Sequence, residues 1–171
     1  MLVVLLTTAL FAAASGATLY QTPYDDPWER ECPQGQLITR LESSHDNGRE
    51  DRVWTITCST NGRIKTGDRW SRDWTTYDQP LRHECGNSEV LAGMRGQHDN
   101  GKEDRRWQFM CRPISGPLIN CRWTGFWIND WDDHMDYSIP ATYVLNGLYS
   151  EHNNGKEDRR WKVRVCQLGQ S

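Results

Sequence analysis

Three stretches of this chain gather imidazole, carboxylate, amide and guanidinium groups within a few residues: HDNGREDRVW from His45, HDNGKEDRRW from His98 and HNNGKEDRRW from His152. Several kinds of chemistry need such groups. The neighbours Glu50 and Asp51, Glu103 and Asp104, and Glu157 and Asp158 offer carboxyl pairs of the kind that hydrolyse glycosidic bonds. That work requires two carboxyls facing each other across a set gap, whereas adjacent residues on a strand point to opposite faces. No Gly-x-Ser-x-Gly elbow or Ser-His-Asp order is present either. A secreted hydrolase therefore ranks behind the binding readings, and no residue is assigned a catalytic role. The oxygens of the Asp-Asn-Gly-x-Glu-Asp run suit calcium, but the run lacks the Gly and Glu positions of the helix-flanked calcium loop. No cofactor is expected, with a structural calcium as the alternative. Three histidines on a threefold axis could hold zinc; hydrogen-bonding turn residues are the preferred reading, with no metal.

Two readings of the motif remain. In one, the copies bind a ligand, through His45, Asp46, Asn47, Glu50, Asp51 and Arg52 in the first. The second would use His98, Asp99, Asn100, Glu103, Asp104 and Arg105. The third would use His152, Asn153, Asn154, Glu157, Asp158 and Arg159. Sugar recognition needs planar polar side chains and an aromatic face, and the motif and its spacers supply both. In the other reading Arg52, Arg105 and Arg159 form internal ion pairs that fix each hairpin, since a guanidinium matches a carboxylate bidentately; the tryptophans then belong to the core. A separate basic stripe follows the third copy. Arg160, Lys162 and Arg164 share one parity, Trp161, Val163 and Val165 the other, so the cations line one strand face in the third repeat alone and suit an acidic glycan.

The elements that position these groups follow from periodicity. An internal repeat fixes the architecture before any other reading. After each motif, alternation such as Trp107, Phe109, Cys111 against Arg106, Gln108, Met110 predicts a strand with one buried face. Short apolar runs precede the histidines, and Asn-Gly (Asn47-Gly48, Asn100-Gly101, Asn154-Gly155) supplies the positive φ of a tight hairpin turn. Each repeat is thus a strand, a turn and a strand. The whole is expected to be an all-β domain with pseudo-threefold symmetry, β-prism-like or β-trefoil-like, with repeats at about 20–58, 70–111 and 123–166.

Composition sets the compartment. Residues 1–17 form an apolar run ending in small side chains and read as a secretory signal, leaving 18–171 as the domain. The mean hydropathy of −0.82 and net charge of −3 give no general pull on nucleic acid and no membrane insertion. Six cysteines in a secreted chain read as three disulfides. The separation of Cys32 from Cys58 equals that of Cys85 from Cys111, so these pair, tying the strands of the first two repeats, and Cys121 is left with Cys166. Nine tryptophans make aromatic area a large part of the core.

The repeated Glu-Asp-Arg-(Arg)-Trp at Glu50–Trp54, Glu103–Trp107 and Glu157–Trp161, Cys32-Pro33-x-Gly35 and the Tyr/Trp-rich spacers resemble the dermatopontin family, from about Tyr24 to Cys166. The resemblance implies a secreted matrix or humoral adhesion protein. Vertebrate members bind proteoglycans and collagen; invertebrate members include haemagglutinating and blood-cell-aggregating factors and shell-matrix proteins. No Arg-Gly-Asp is present. The expectation is an extracellular, lectin-like protein that cross-links cells or matrix through glycans or proteoglycans by multivalency. The alternative is a structural matrix protein that binds collagen or shell matrix.

Overall fold

The computed structural model describes residues 17–170. The expected secretory signal lies outside the described residues except for Ala17. The strands are β1 (Ala17–Leu19), β2 (Trp28–Glu31), β3 (Gln36–Asp46), β4 (Asp51–Thr60), β5 (Arg69–Trp70), β6 (Leu81–Glu84), β7 (Glu89–Asp99), β8 (Asp104–Pro113), β9 (Leu118–Trp123), β10 (Met135–Ser138), β11 (Tyr143–Asn153) and β12 (Asp158–Leu168). They form three four-stranded antiparallel sheets, ordered β1-β4-β3-β10, β5-β8-β7-β2 and β9-β12-β11-β6. The expected all-β, pseudo-threefold architecture is what the chain adopts.

Each sheet centres on the long hairpin of one repeat, and the alternation reads through. Trp54, Ile56 and Cys58, Trp107, Phe109 and Cys111, and Trp161, Val163 and Val165 are all buried. Strand β8 departs from the simple pattern, since Gln108 and Met110 are buried too. The Gln108 amide is turned inward to donate to the carbonyls of Ser71 (2.9 Å) and Arg72 (3.1 Å).

The repeats are interlocked by exchange. The short leading strand of each pairs with the hairpin of the next: β2 with β7, β6 with β11, and β10 back with β3. A β-bulge at Thr39, Ala92 and Asn146 makes this possible. A bulge leaves one residue out of the ladder. Its freed carbonyl accepts the N–H just beyond the incoming strand: Cys32 to Ala92 (2.8 Å), Cys85 to Asn146 (2.9 Å) and Ile139 to Thr39 (2.8 Å).

The disulfides join Cys32 to Cys58, Cys85 to Cys111 and Cys121 to Cys166. Their placement corrects one expectation. The first two do not tie the strands of a hairpin. Cys32 follows β2, in a neighbouring sheet, and Cys58 lies in β4, so the bridge crosses between sheets; Cys85 and Cys111 do the same. Only Cys121–Cys166 lies within one sheet, between the paired strands β9 and β12.

The hairpin turn also differs from expectation. Asn-Gly does not supply the positive φ. The loops run over four residues, and the left-handed residue is the last: Glu50 (φ 48°), Glu103 (φ 46°) and Glu157 (φ 44°). The turn itself is set by the residue before Asn. Asp46 Oδ1 accepts the Gly48 and Arg49 amides (2.9 and 3.0 Å), Asp99 Oδ1 accepts Gly101 (2.8 Å), and Asn153 Oδ1 accepts Gly155 and Lys156 (2.8 and 3.1 Å). Glycine follows because that oxygen lies only 3.2–3.3 Å from where a Cβ would stand.

Candidate functional site

The acidic and basic residues that start β4, β8 and β12 meet around the pseudo-threefold axis. Arg52 grips Asp158 (Nε–Oδ1 2.6 Å, Nη2–Oδ2 2.7 Å) and Arg159 grips Asp104 (2.7 and 2.6 Å). Arg105 grips Asp51 through Nε–Oδ1 at 3.2 Å and a close Nη2–Oδ2 contact. The pairs therefore join different repeats and close a ring, which corrects the expectation of a pair inside each hairpin. All six residues are buried. Each Asp also accepts a main-chain N–H from an earlier loop, that of Asp25 (3.0 Å), Asp78 (2.8 Å) or Asp132 (2.8 Å), and Asp158 accepts the Arg159 N–H as well (2.6 Å). Those three loop residues are themselves left-handed, with φ of 60–62°. Beside the ring, Trp54, Trp107 and Trp161 pack edge to face in a closed triangle, with centroids 5.2–5.5 Å apart. Small residues beneath make room for the arginines: a Cβ on Gly96 would stand 2.5 Å from Arg105 Cδ.

Electrostatics follow from this packing. Asp51 loses water on burial, which alone would raise its pKa; His98, Arg105 and the Asp25 amide outweigh that and hold it at about 2. His98 is raised above its ordinary value. Burial opposes its charge, but Asp51 and Asp25 more than compensate against Arg105. Glu157 is pushed up by its desolvation; His152 pulls it down, and Glu103, Glu50 and Asp78 add to the rise. The space bounded by the ring, the three Glu and the tryptophans is only about 20 Å³, room for one water and none for a sugar ring.

The histidines do not form a three-imidazole zinc site. His45 Nδ1 hydrogen-bonds the Asn47 side chain (2.9 Å) and its Nε2–H donates to the Glu157 carbonyl (3.2 Å). His152 repeats this with Asn154 (3.0 Å) and the Glu103 carbonyl (3.3 Å). These are turn-bracing roles across repeat boundaries. Among the candidates, then, Asp51, Arg52, Asp104, Arg105, Asp158 and Arg159 are brought together but buried. The histidine side chains are buried beside them, Asp46, Asp99 and Asn153 serve their own turns, and Asn47, Asn100 and Asn154 lie at exposed tips.

The outer sheet faces carry what the motif conceals. On the third sheet a groove of about 370 Å³ is lined by Arg82, Trp123, Thr124, Tyr149, Glu151 and Lys162. Arg82 lies over Trp123 at 5.1 Å, Trp127 stacks on Tyr149 at 5.9 Å, and the Tyr149 hydroxyl donates to Glu151 at 2.7 Å. Phe126 stands exposed nearby on the same connection, at 61%. The second sheet has a groove of about 300 Å³ in the corresponding place, lined by Trp28, Glu29, Trp74, Arg95 and Gln97 among others. The first sheet shows Glu42, Ser44, Thr55 and Thr57 there, without tryptophan.

The cations expected to line one face of the third repeat do share that face, and its side chains engage each of them. Arg160 is packed on Trp127 (4.1 Å) and Trp131 (4.8 Å) and faces Glu151 (3.5 Å); Arg164 pairs with Glu84 (3.1 Å). Lys162 lies over Trp127 (4.5 Å). The second sheet has its own cations: Arg95 over Trp70 (4.4 Å) and Trp74 (5.6 Å), and Arg106 over Trp74 (5.1 Å). Arg82, Arg95 and Tyr149 were not singled out from sequence. Each lies on a strand of one repeat while its tryptophan partner comes from a spacer or another repeat, so no local spacing reveals them; the only signal is the Tyr/Trp-rich character of the spacers.

A family model described as Dermatopontin matches residues 22–170. The chain is similar to Hemagglutinin/amebocyte aggregation factor of Limulus polyphemus, 34% identical over 164 residues, covering 93% of this chain and 93% of that protein. It is 37% identical over 144 residues to Millepora cytotoxin-1 of Millepora dichotoma, covering 84% of this chain and 64% of that protein. It is 32% identical over 141 residues to Dermatopontin of Biomphalaria glabrata, covering 82% and 95%. No solved structure matches.

Proposed function

The chain belongs to the dermatopontin family, and from that premise we propose that it is an extracellular adhesive protein that cross-links cells or matrix by recognising glycans, without catalysing a reaction. The relatives named as a haemagglutinin and aggregation factor and as a dermatopontin support the adhesive or matrix role, and three disulfides fit an oxidising compartment. The observation that carries glycan recognition is the pair of outer grooves. Each offers a tryptophan face for a sugar's C–H surface. Each also has planar polar groups at its rim: Arg82 and Glu151 in one, Glu29, Arg95 and Gln97 in the other. Their volumes suit one or two sugar rings. Two weak sites on one rigid body give avidity without any new contact. The mixed signs of charge favour a neutral or amino sugar over a polyanion in these grooves.

A glycan array on the mature protein, followed by haemagglutination with the best sugar as inhibitor, tests this. Trp123→Ala and Trp74→Ala should each keep glycan binding but lose agglutination, and the double variant should lose both while remaining folded and melting cooperatively. Agglutination or fibril binding that no sugar inhibits, and that survives the double variant, would instead support the structural matrix role.

A further inference from the structure

The repeats meet at three equivalent junctions, and in two of them a side chain fills the space between the turn after the leading strand and the next hairpin. Where β2 joins β7, the guanidinium of Arg112 does so. Its Nη1 donates to the carbonyls of Pro33 and Gln36 (both 2.8 Å) and its Nη2 to that of Cys32 (3.1 Å). Where β6 joins β11, the side-chain amide of Asn146 does so. It donates to the carbonyls of Cys85 (3.2 Å), Gly86 (3.3 Å) and Glu89 (2.9 Å). These carbonyls occupy the same three positions of the repeat, and Arg112 and Asn146 are both buried.

The third junction, where β10 joins β3, has the same backbone. The Ile139 N–H donates to the Thr39 carbonyl (2.8 Å), as Cys32 does to Ala92 and Cys85 to Asn146. The Tyr143 N–H donates to the Pro140 carbonyl (2.8 Å), as Gln36 does to Pro33 and Glu89 to Gly86. Tyr143 thus turns its N–H away from Gln167, its partner in β12. A residue in an antiparallel pair gives both main-chain groups to the partner strand or neither, so the Tyr143 carbonyl points outward as well. The carbonyls of Ile139, Pro140 and Tyr143 are therefore set like those that hold Arg112 and Asn146. The side chains differ. Thr39 stands at the position of Asn146 and Ser59 at that of Arg112. Both are short, and they satisfy each other: Thr39 Oγ1 donates to the Thr57 carbonyl (3.2 Å) and lies 3.1 Å from Ser59 Oγ. Among the described residues no side chain donates to any of the three carbonyls. A space of about 320 Å³ remains, walled by Leu37, Thr39, Ser59, Tyr143, Val144 and Leu168. Its mouth, at Thr60, Ala141 and Thr142, is exposed.

We propose that this third junction binds the guanidinium of an arginine side chain carried by a partner polypeptide. Three carbonyls call for a donor with several N–H groups. A guanidinium carries five in a fixed plane and is only weakly hydrated, whereas an ammonium is a compact, strongly hydrated charge and a carboxamide has two N–H groups. Arg112 shows the fit within the molecule itself. The apolar wall of Leu37, Val144 and Leu168 suits the methylene stem of an arginine. Arg112 is also paired with Asp68 (2.7 and 2.8 Å), whereas no carboxylate lines the third junction among the described residues. An incoming arginine therefore relies on the carbonyl dipoles and on water at the open mouth, and a single contact is weak. The nearest cation, Arg122, packs on the Tyr143 ring at 4.5 Å and donates to none of the three carbonyls.

The test titrates the mature protein with the blocked peptide acetyl-Gly-Arg-Gly-amide and follows backbone amide shifts by NMR. Saturable shifts centred on Thr39, Ser59, Thr142 and Tyr143 are expected. Peptides with Lys or Gln in place of Arg should bind about tenfold more weakly, the loss of one hydrogen bond to a charged group. The blocked peptide should bind at least as tightly as free arginine. Two variants close the pocket from within: Ser59→Arg imitates Arg112 and Thr39→Asn imitates Asn146. Each should abolish peptide binding and raise the melting temperature, while glycan binding, which uses none of these residues, stays as in the wild type. Shifts centred elsewhere, equal binding of the Lys or Gln peptide, tighter binding of free arginine, or full peptide binding by folded Ser59→Arg and Thr39→Asn proteins would each overturn the assignment.

Discussion

Replacing Arg105 with Ala should unfold the protein more readily rather than selectively abolish binding. Arg105 is 3% exposed and makes two bonds to Asp51 and a third, from Nη1, to the Asp26 carbonyl at 3.0 Å. Removing one partner of a buried pair typically costs about 3–5 kcal/mol, because the other charge is left uncompensated. Asp51 is also held in its charged form by its surroundings as a whole, with His98, Arg105 and the Asp25 amide acting against burial. Its pKa falls from 3.8 to about 2, which corresponds to roughly 2.5 kcal/mol in favour of the charged folded form at neutral pH. The sign is that of a depressed carboxylate: the contribution is complete above the unfolded pKa near 4 and is lost as pH falls from about 4 through about 2. Denaturant unfolding with linear extrapolation should show Arg105→Ala destabilised by about 3–5 kcal/mol, with much of the wild-type margin lost between pH 4 and 2. The pair Asp51→Leu with Arg105→Met should recover most of the loss, since an apolar replacement of similar volume removes both charges. A well-folded Arg105→Ala protein with unchanged melting but no agglutination would refute the structural role and make the ring the ligand site.

Two further outcomes can be checked. Non-reducing peptide mapping should link Cys32 to Cys58, Cys85 to Cys111 and Cys121 to Cys166; loss of any one bridge should cost about 2–5 kcal/mol, and a Cys58–Cys85 peptide would contradict the pairing. Retention on immobilised heparin, if the third-sheet cations bind sulfated glycans, should fall steeply with salt, because ion pairs at the surface are screened within about 8–10 Å. Lys162→Thr should remove most of that retention at a small cost in stability, whereas Arg160→Ser and Arg164→Ser should lower the melting temperature further, since Arg160 packs on two tryptophans and faces Glu151 and Arg164 pairs with Glu84.

The strands and cysteine pairs were legible because period-two alternation and equal cysteine spacing are local properties that survive folding. Trp107, Phe109 and Cys111 had to face one way whatever lay opposite. What could not be read was which repeat supplies each partner. Asp51 meets Arg105, not Arg52, because the leading strand of each repeat is passed to the next and every contact made there crosses a boundary. The turn was misjudged for a related reason. Asn-Gly is a strong signal for a two-residue turn, but here Asp46 captures the Gly48 and Arg49 amides. The loop becomes two residues longer, and its left-handed position moves to Glu50.

Closure of the ring also explains why the most repetitive part of the sequence is a poor guide to ligand binding. Each Asp in the ring is gripped by one neighbouring repeat, and each Arg grips another. A change in one copy therefore leaves a buried charge in a different copy, at several kcal/mol. Three identical Asp-Arg pairs follow from that demand alone, whatever the protein binds. The outer faces are under no such constraint. Corresponding places hold Glu42, Arg95 and Tyr149 on the three sheets, and Trp74 and Trp127 on two of them. A sheet face can therefore gain or lose a binding groove without disturbing the axis. Specific chemistry in such a threefold body belongs where the copies differ, and the outer grooves are such a place.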